Sequence, residues 1–191
     1  MKKLIALLLA MSMVVCFAAC GGNENNDQKN DGGNAGNNEP AAEITGEIYN
    51  AGKVSALVPD GWKAFPVMDI WSDDPNATDP DQVNIVKGGE TDFDLLTKPY
   101  IQIVHYEPES MMVPSKDFYE GAQDVAPITA GSLTWEGFSA KDFMDNALII
   151  LWTTNAAGHQ FQLNIFNETD AGKFELTDAD VLAILGSVAN S

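Results

Sequence analysis

The sequence predicts an α+β domain in which an antiparallel β-sheet packs against amphipathic helix, and three stretches carry that reading. Residues 100–106, YIQIVHY, alternate: Ile101, Ile103 and His105 share one face, Gln102 and Val104 the other, as in a strand with one buried side. Residues 147–152, ALIILW, are a short apolar run rich in branched side chains, the pattern of a central strand buried on both faces. The loop NAAGHQ joins that run to FQLNIF, whose Phe161, Leu163 and Ile165 oppose Gln162 and Asn164, and the pair reads as the best hairpin of the chain. Residues 176–188 set Val181, Ile184, Leu185 and Val188 at helical spacing. Thr177 stands as N-cap, Asp180 at the capping-box position, and Leu176 and Val181 at the staple positions. A helix with one apolar stripe lies on a sheet.

In chain order, the first residues are Lys2 and Lys3, then an apolar run from Leu4 to Ala19 broken only by Ser12, then Cys20. A basic start, an apolar stretch and small residues before a cut are the order of a secretory signal. The run of 16 residues is short against the ~20 that span a bilayer, and a plain secretory signal has no need of cysteine at the cut. Ala18, Ala19 and Cys20 resemble a bacterial lipobox, in which the cysteine sulfur receives a diacylglycerol and the chain is cut just before it. The resemblance implies a signal peptide over 1–19, lipidation at Cys20, and anchorage at the extracytoplasmic face of the cell membrane. Residues 21–42 hold no aromatic or branched apolar side chain. Such a stretch cannot offset its ordering entropy by burial, so 20–43 reads as a disordered Asn/Gly-rich linker spanning roughly 25 Å. The globular domain is 44–191.

Within it, Val54, Ala56 and Val58 alternate, Pro59–Asp60–Gly61 is a turn signal, and 62–67 reads as the returning strand of a hairpin. Residues 68–82 are an acidic, proline-rich loop, and 83–88 a short strand. Residues 90–96 read as a short helix with Thr91 as N-cap, and 114–125 as a helix capped by Ser115 with Phe118 and Ala122 four apart. Residues 131–145 read as strand, turn at Gly137, strand.

Composition excludes more than it selects. The formal charge is −18, and −20 beyond the first nineteen residues, which hold two lysines and no acid. There is no arginine. Nucleic-acid binding needs a basic surface to displace counterions, so it is not expected. Bidentate arginine recognition of phosphate or carboxylate is ruled out. The cysteines are Cys16 and Cys20, so the domain has no disulfide, thiolate metal site or cysteine nucleophile.

The order hairpin with PDGW, strand, helix, strands around GFSAKDF, central hairpin, and C-terminal helix ending in ILGSV resembles the PsbP-like family of small bacterial lipoproteins (DcrB-like) over roughly 45–190. The resemblance implies an αβα sandwich: an antiparallel sheet of about six strands with helices on both faces. It implies no activity for this chain, because the basic residues and partner-binding residues of characterised members have no counterparts here.

Asp73, Asp74, Asn76, Thr78, Asp79 and Asp81 offer hard oxygen ligands of the kind Ca²⁺ takes. An EF-hand loop starting at Asp74 would need glycine at Asp79 and glutamate at Ile85, so a solvated turn-rich loop is the expectation. No cofactor is expected, with Ca²⁺ as the alternative. His105 and His159 lack local ligand spacing, and Ser110, Ser115 and Ser132 lack a nucleophile-elbow context. No enzyme is expected; an unrecognised hydrolase ranks third. Trp71, Met111, Met112 and Tyr119 are candidates for an exposed patch, although such side chains more often pack in a core. The functional expectation is a membrane-anchored lipoprotein with a non-catalytic binding or assembly role. Its partners are the membrane, through the lipid on Cys20, and an envelope protein. The alternative is a cation- or small-ligand-binding accessory lipoprotein.

Overall fold

A computed structural model describes residues 44–191. The expected signal peptide, Cys20 and the expected linker lie outside the described residues. The first strands are β1 (Gly46–Asn50), β2 (Val54–Pro59), β3 (Trp62–Met68), β4 (Thr78–Lys87) and β5 (Tyr100–Tyr106). Next come β6 (Gln123–Ala130), β7 (Leu133–Lys141), β8 (Ala147–Thr154) and β9 (Gln160–Phe166). Two-residue strands β10 (Glu168–Thr169) and β11 (Gly172–Lys173), the helix α1 (Ala179–Ser187) and β12 (Ala189–Asn190) complete the chain.

Seven strands form one antiparallel sheet in the order β3-β4-β5-β9-β8-β7-β6. Two meanders, β3 to β5 and β6 to β9, meet where β9 pairs with β5. Both edge strands carry a proline, Pro66 and Pro127, beside a register irregularity. Proline cannot donate to a ladder and is confined to such edges, where it blocks pairing with another chain. A second antiparallel sheet, β1-β2-β12, and the helix supply the other layer. Val54 and Ala56 of β2, and Val181, Ile184, Leu185 and Val188, pack on Val83, Ile85, Ile101, Ile103, Leu163 and Ile165 of the large sheet.

The fold class therefore departs from the expected αβα sandwich. The domain is mostly β, with a single α-helix among the described residues and not helices on both faces. The helix expected over 114–125 is a 3₁₀ turn, Lys116–Phe118, followed by β6. Gly121 at φ 67° stops helical continuation, and Phe118, meant to sit on the apolar face, is 87% exposed. The short helix over 90–96 is likewise a 3₁₀ turn, Asp92–Leu96. The expected hairpin across Pro59–Gly61 is not one. The turn is present, with Gly61 at φ 83°, but β2 and β3 belong to different sheets and β2 pairs with β1 instead. The turn expected at Gly137 is mid-strand. An added Cβ there would collide with the Ile150 carbonyl oxygen, so glycine serves the close approach of β7 and β8, and the turn falls at 142–146.

The helix begins later than its sequence suggests. Asp178 is the N-cap, while Asp180 accepts hydrogen bonds from Trp62 Nε1 at 2.8 Å and Lys87 Nζ at 3.1 Å. Burial alone would raise the Asp180 carboxyl, but these donors hold it below its ordinary value. At the other end, Ser187 Oγ accepts from Leu57 N and donates to Ile184 O, each at 2.7 Å, tying helix to β2.

Candidate functional site

The period of two that builds the sheet also builds the site. His105 continues the buried face of Ile101 and Ile103, and Glu107 lies two residues beyond it. On the neighbouring strand β9, Phe161 pairs with His105, and His159 lies two residues before Phe161 on the same face. On the other neighbour, β4, Gln82 pairs with Val104, so Asp81 is the next cross-strand partner and faces His105.

The side chains converge. His105 is 3% exposed; its Nδ1 lies 2.7 Å from Asp81 Oδ1 and its Nε2 lies 2.9 Å from His159 Nδ1. Glu107 Oε2 is 3.8 Å from His159 Nδ1. Ligand atoms of His105, Glu107 and His159 all fall within 4.8 Å of one another. Lys53, from the β1–β2 turn, bridges the two acids, 3.2 Å from Asp81 and 3.6 Å from Glu107. The hydrogen bond and charge of Asp81, then Glu107, raise the Lys53 ammonium above its ordinary value.

Local structure fixes each donor. Asn155 Oδ1 accepts from Ala157 N and from His159 N, both at 3.0 Å, and Asn155 N donates to the His159 carbonyl at 2.9 Å. Gly158 at φ 89° completes that turn, a conformation other residues rarely adopt. After β5, Ser110 donates through N and Oγ to the Glu107 carbonyl at 3.1 and 2.6 Å.

An ionised Asp81 only accepts, so Nδ1–H of His105 donates to it and Nε2 of a neutral ring is left as a lone pair. The 2.9 Å approach fits His159 Nδ1–H donating to that lone pair. A cation between the two nitrogens would take the place of that proton, with His159 in its other tautomer. At metal–nitrogen bonds of ~2.0–2.1 Å the two donors would stand about 3.3 Å apart in a tetrahedral site, a few tenths of an ångström from where they are. Two imidazoles and a carboxylate, with a second carboxylate orienting one imidazole, are the donor set of Zn²⁺ and its first-row neighbours rather than of Ca²⁺.

The acidic loop is placed differently from a calcium loop. Asp74 Oδ1 accepts from Asn76 N at 2.9 Å, and Asp79 accepts from Asp81 N at 2.9 Å and Gln82 Nε2 at 2.6 Å. Thr78, Asp79 and Asp81 lie on β4, whereas Asp73, Asp74 and Asn76 lie in the loop before it. Asp81 is the one drawn into the histidine cluster. The converging ligand set among the described residues is the histidine one. Of the serines, Ser110 bonds Glu107 and Ser115 caps the 3₁₀ turn by accepting from Asp117 N, while Ser132 lies in the turn between β6 and β7. Trp71 and Met112 are exposed, Met111 is partly buried, and Tyr119 packs its ring 5.3 Å from Phe138.

Glu107 and Lys53 carry no motif that marks them in the sequence. For Glu107 a faint signal exists, since continuing the alternation of 101–105 by one step reaches it, whereas Lys53 has none. Set against known protein families, characterised proteins and solved structures, the chain matches none.

Proposed function

We propose that this chain is an extracytoplasmic lipoprotein, anchored through lipidated Cys20, whose domain binds a divalent transition-metal ion, Zn²⁺ or a close relative, at His105, His159 and Glu107. The carrying observation is the 2.9 Å approach of His105 Nε2 to His159 Nδ1 with Asp81 behind the first ring. Asp81 acts as a positioning residue, fixing the tautomer that leaves Nε2 free to ligate. The role proposed is binding: the side chains of both histidines bond to each other and to Asp81, which sets them in place as ligands. Lys53 balances the two carboxylates before metal arrives. Anchorage rests on the order basic start, apolar run, Ala18–Ala19–Cys20. An envelope protein that delivers or receives the ion is the partner this role implies.

Isothermal titration of residues 21–191 with Zn²⁺ and Co²⁺ tests the binding. One ion per chain is expected, with at least tenfold weaker binding in His159→Ala and in Glu107→Gln. Equal binding in all three proteins would refute the site. Anchorage is tested separately by incorporation of labelled fatty acid in cells, expected in the natural chain and lost in Cys20→Ala.

A further inference from the structure

On the face of the large sheet opposite the helix, an open groove of about 770 Å³ runs between the 3₁₀ turn at 116–118 and the β7–β8 turn at 142–146. It lies toward the Tyr100 end of β5, whereas the histidine cluster lies at the His105 end, some five residues or roughly 17 Å along the strand. A second depression of about 1070 Å³ shares Tyr100, Asp142, Phe143 and Phe166 with it and continues it past the sheet end.

The chemistry of the groove is specific. Its floor carries neutral amides where an open sheet face ordinarily carries charges. Asn164 Nδ2 donates to Gln102 Oε1 at 2.9 Å, and Asn164 Oδ1 accepts from Gln162 Nε2 at 2.9 Å. A primary amide has two N–H donors and two acceptor positions. Gln102 also donates to Gln82, at 3.4 Å. Each of Gln102 and Asn164 is thereby left with a donor and an acceptor unspent. Beside them Tyr100 and Phe166 stack at 4.7 Å between centroids, 20° from parallel. The walls are Phe118, 87% exposed, and Phe143, 94% exposed. At the rim, Lys141 and Asp145 pair at 2.6 Å and cancel each other.

We infer that this groove binds a neutral oligosaccharide. Sugar hydroxyls donate and accept at once, which matches the spare donor and acceptor on each amide. The apolar C–H faces of pyranose rings match exposed aromatic rings, which such a ligand would cover. A cationic amphipathic peptide would also meet apolar walls and the acids Glu120 and Asp142, which line the groove. It would leave the floor amides without the paired donors and acceptors that hydroxyls supply, and it is the competing occupant the test includes.

The test is titration calorimetry of residues 21–191 against chitohexaose, cellohexaose and maltohexaose, with a Lys/Leu amphipathic dodecapeptide alongside. The expected result is binding of at least one hexasaccharide. Phe143→Ala should weaken it about fivefold and Asn164→Ala about tenfold. Phe143→Ala should leave the melting midpoint unchanged, since its ring is exposed. His159→Ala should bind sugar as the natural chain does, which separates this site from the metal site. Failure of all three sugars at millimolar concentration overturns the inference. So does sugar binding that ignores both groove variants, or binding of the peptide alone with loss in Asp142→Asn.

Discussion

Asp81 touches no proposed metal position, yet its carboxylate decides which nitrogen of His105 is free. Asp81→Asn retains an acceptor but loses the charge that favours Nδ1–H, so Zn²⁺ affinity should fall about 10–100-fold, as for other partners behind a ligating histidine. Titration of the variant checks this, and an unchanged affinity would mean that the Asp81 contact is merely structural. His105→Ala is the poorer probe, because that ring is buried and its loss leaves a cavity and an unpaired carboxylate, at about 2–4 kcal/mol. Asp94 gives a pH signature elsewhere. Backbone N–H groups of Thr91 and Glu90, then Lys98, draw its carboxyl from 3.8 to about 2. A folded value below the unfolded one stabilises fully above pH 3.8 and is lost as pH falls through about 2. The stability gap between the natural chain and Asp94→Asn should therefore narrow from pH 5 to pH 2 in urea titrations. Single residues were the least legible level of the sequence. His105 and His159 were visible as types, but 54 positions apart, and only the pairing of His105 with Phe161 brings them together. In the sequence Asp81 stands out for its acidic neighbours rather than for the histidine across the strand.

Elements with one buried face are legible, and so is the β8–β9 hairpin, whose strands a short loop joins; the other pairings are not. The period of two marks 100–106 and 161–166 as strands, and branched apolar content marks 147–152. Helical spacing marks the buried face of α1. These signals are local and reflect burial. The identity of a neighbour is not local: Pro59–Asp60–Gly61 looks the same whether it closes a hairpin or sends the chain from one sheet to another. Phe118 and Ala122 have helical spacing by coincidence: Ala122 packs on the cluster of Phe138, Leu148 and Ile150, while Phe118 is exposed. The contact of α1 with the β6–β7 turn is similarly unmarked in sequence. Gly131 sits there at φ 57°, and an added Cβ would come within 2.6 Å of the Gly186 carbonyl oxygen. Gly131→Ala should cost about 2 kcal/mol or more through backbone strain and displacement of the helix end. Ser187→Ala, which unpairs Leu57 N, should cost about 1–2 kcal/mol. Denaturant titration measures both, and a neutral Gly131→Ala would show that helix and turn are not in the contact described.

At the scale of the molecule, the acidity and missing arginine excluded function classes and named none, because net charge sets solubility and long-range attraction rather than a site. The same charge favours a cation, and the domain offers it two destinations with different chemistry. Zn²⁺ at 100-fold excess over its dissociation constant should add about 2.7 kcal/mol of stability, several degrees in the melting midpoint. Millimolar Ca²⁺ should add nothing comparable, since the carboxylates of Asp74 and Asp79 are engaged with nearby N–H groups. The reverse order, with Ca²⁺ stabilising and Zn²⁺ inert, would return the site to the acidic loop. The most direct measurement is a crystal structure of the Zn²⁺-soaked domain with anomalous data at the zinc edge. The predicted result is one strong peak about 2.0–2.1 Å from His105 Nε2 and from His159 Nδ1, with Glu107 as a third ligand. A peak elsewhere, or an intact His105–His159 hydrogen bond with no peak beside it, would contradict the account.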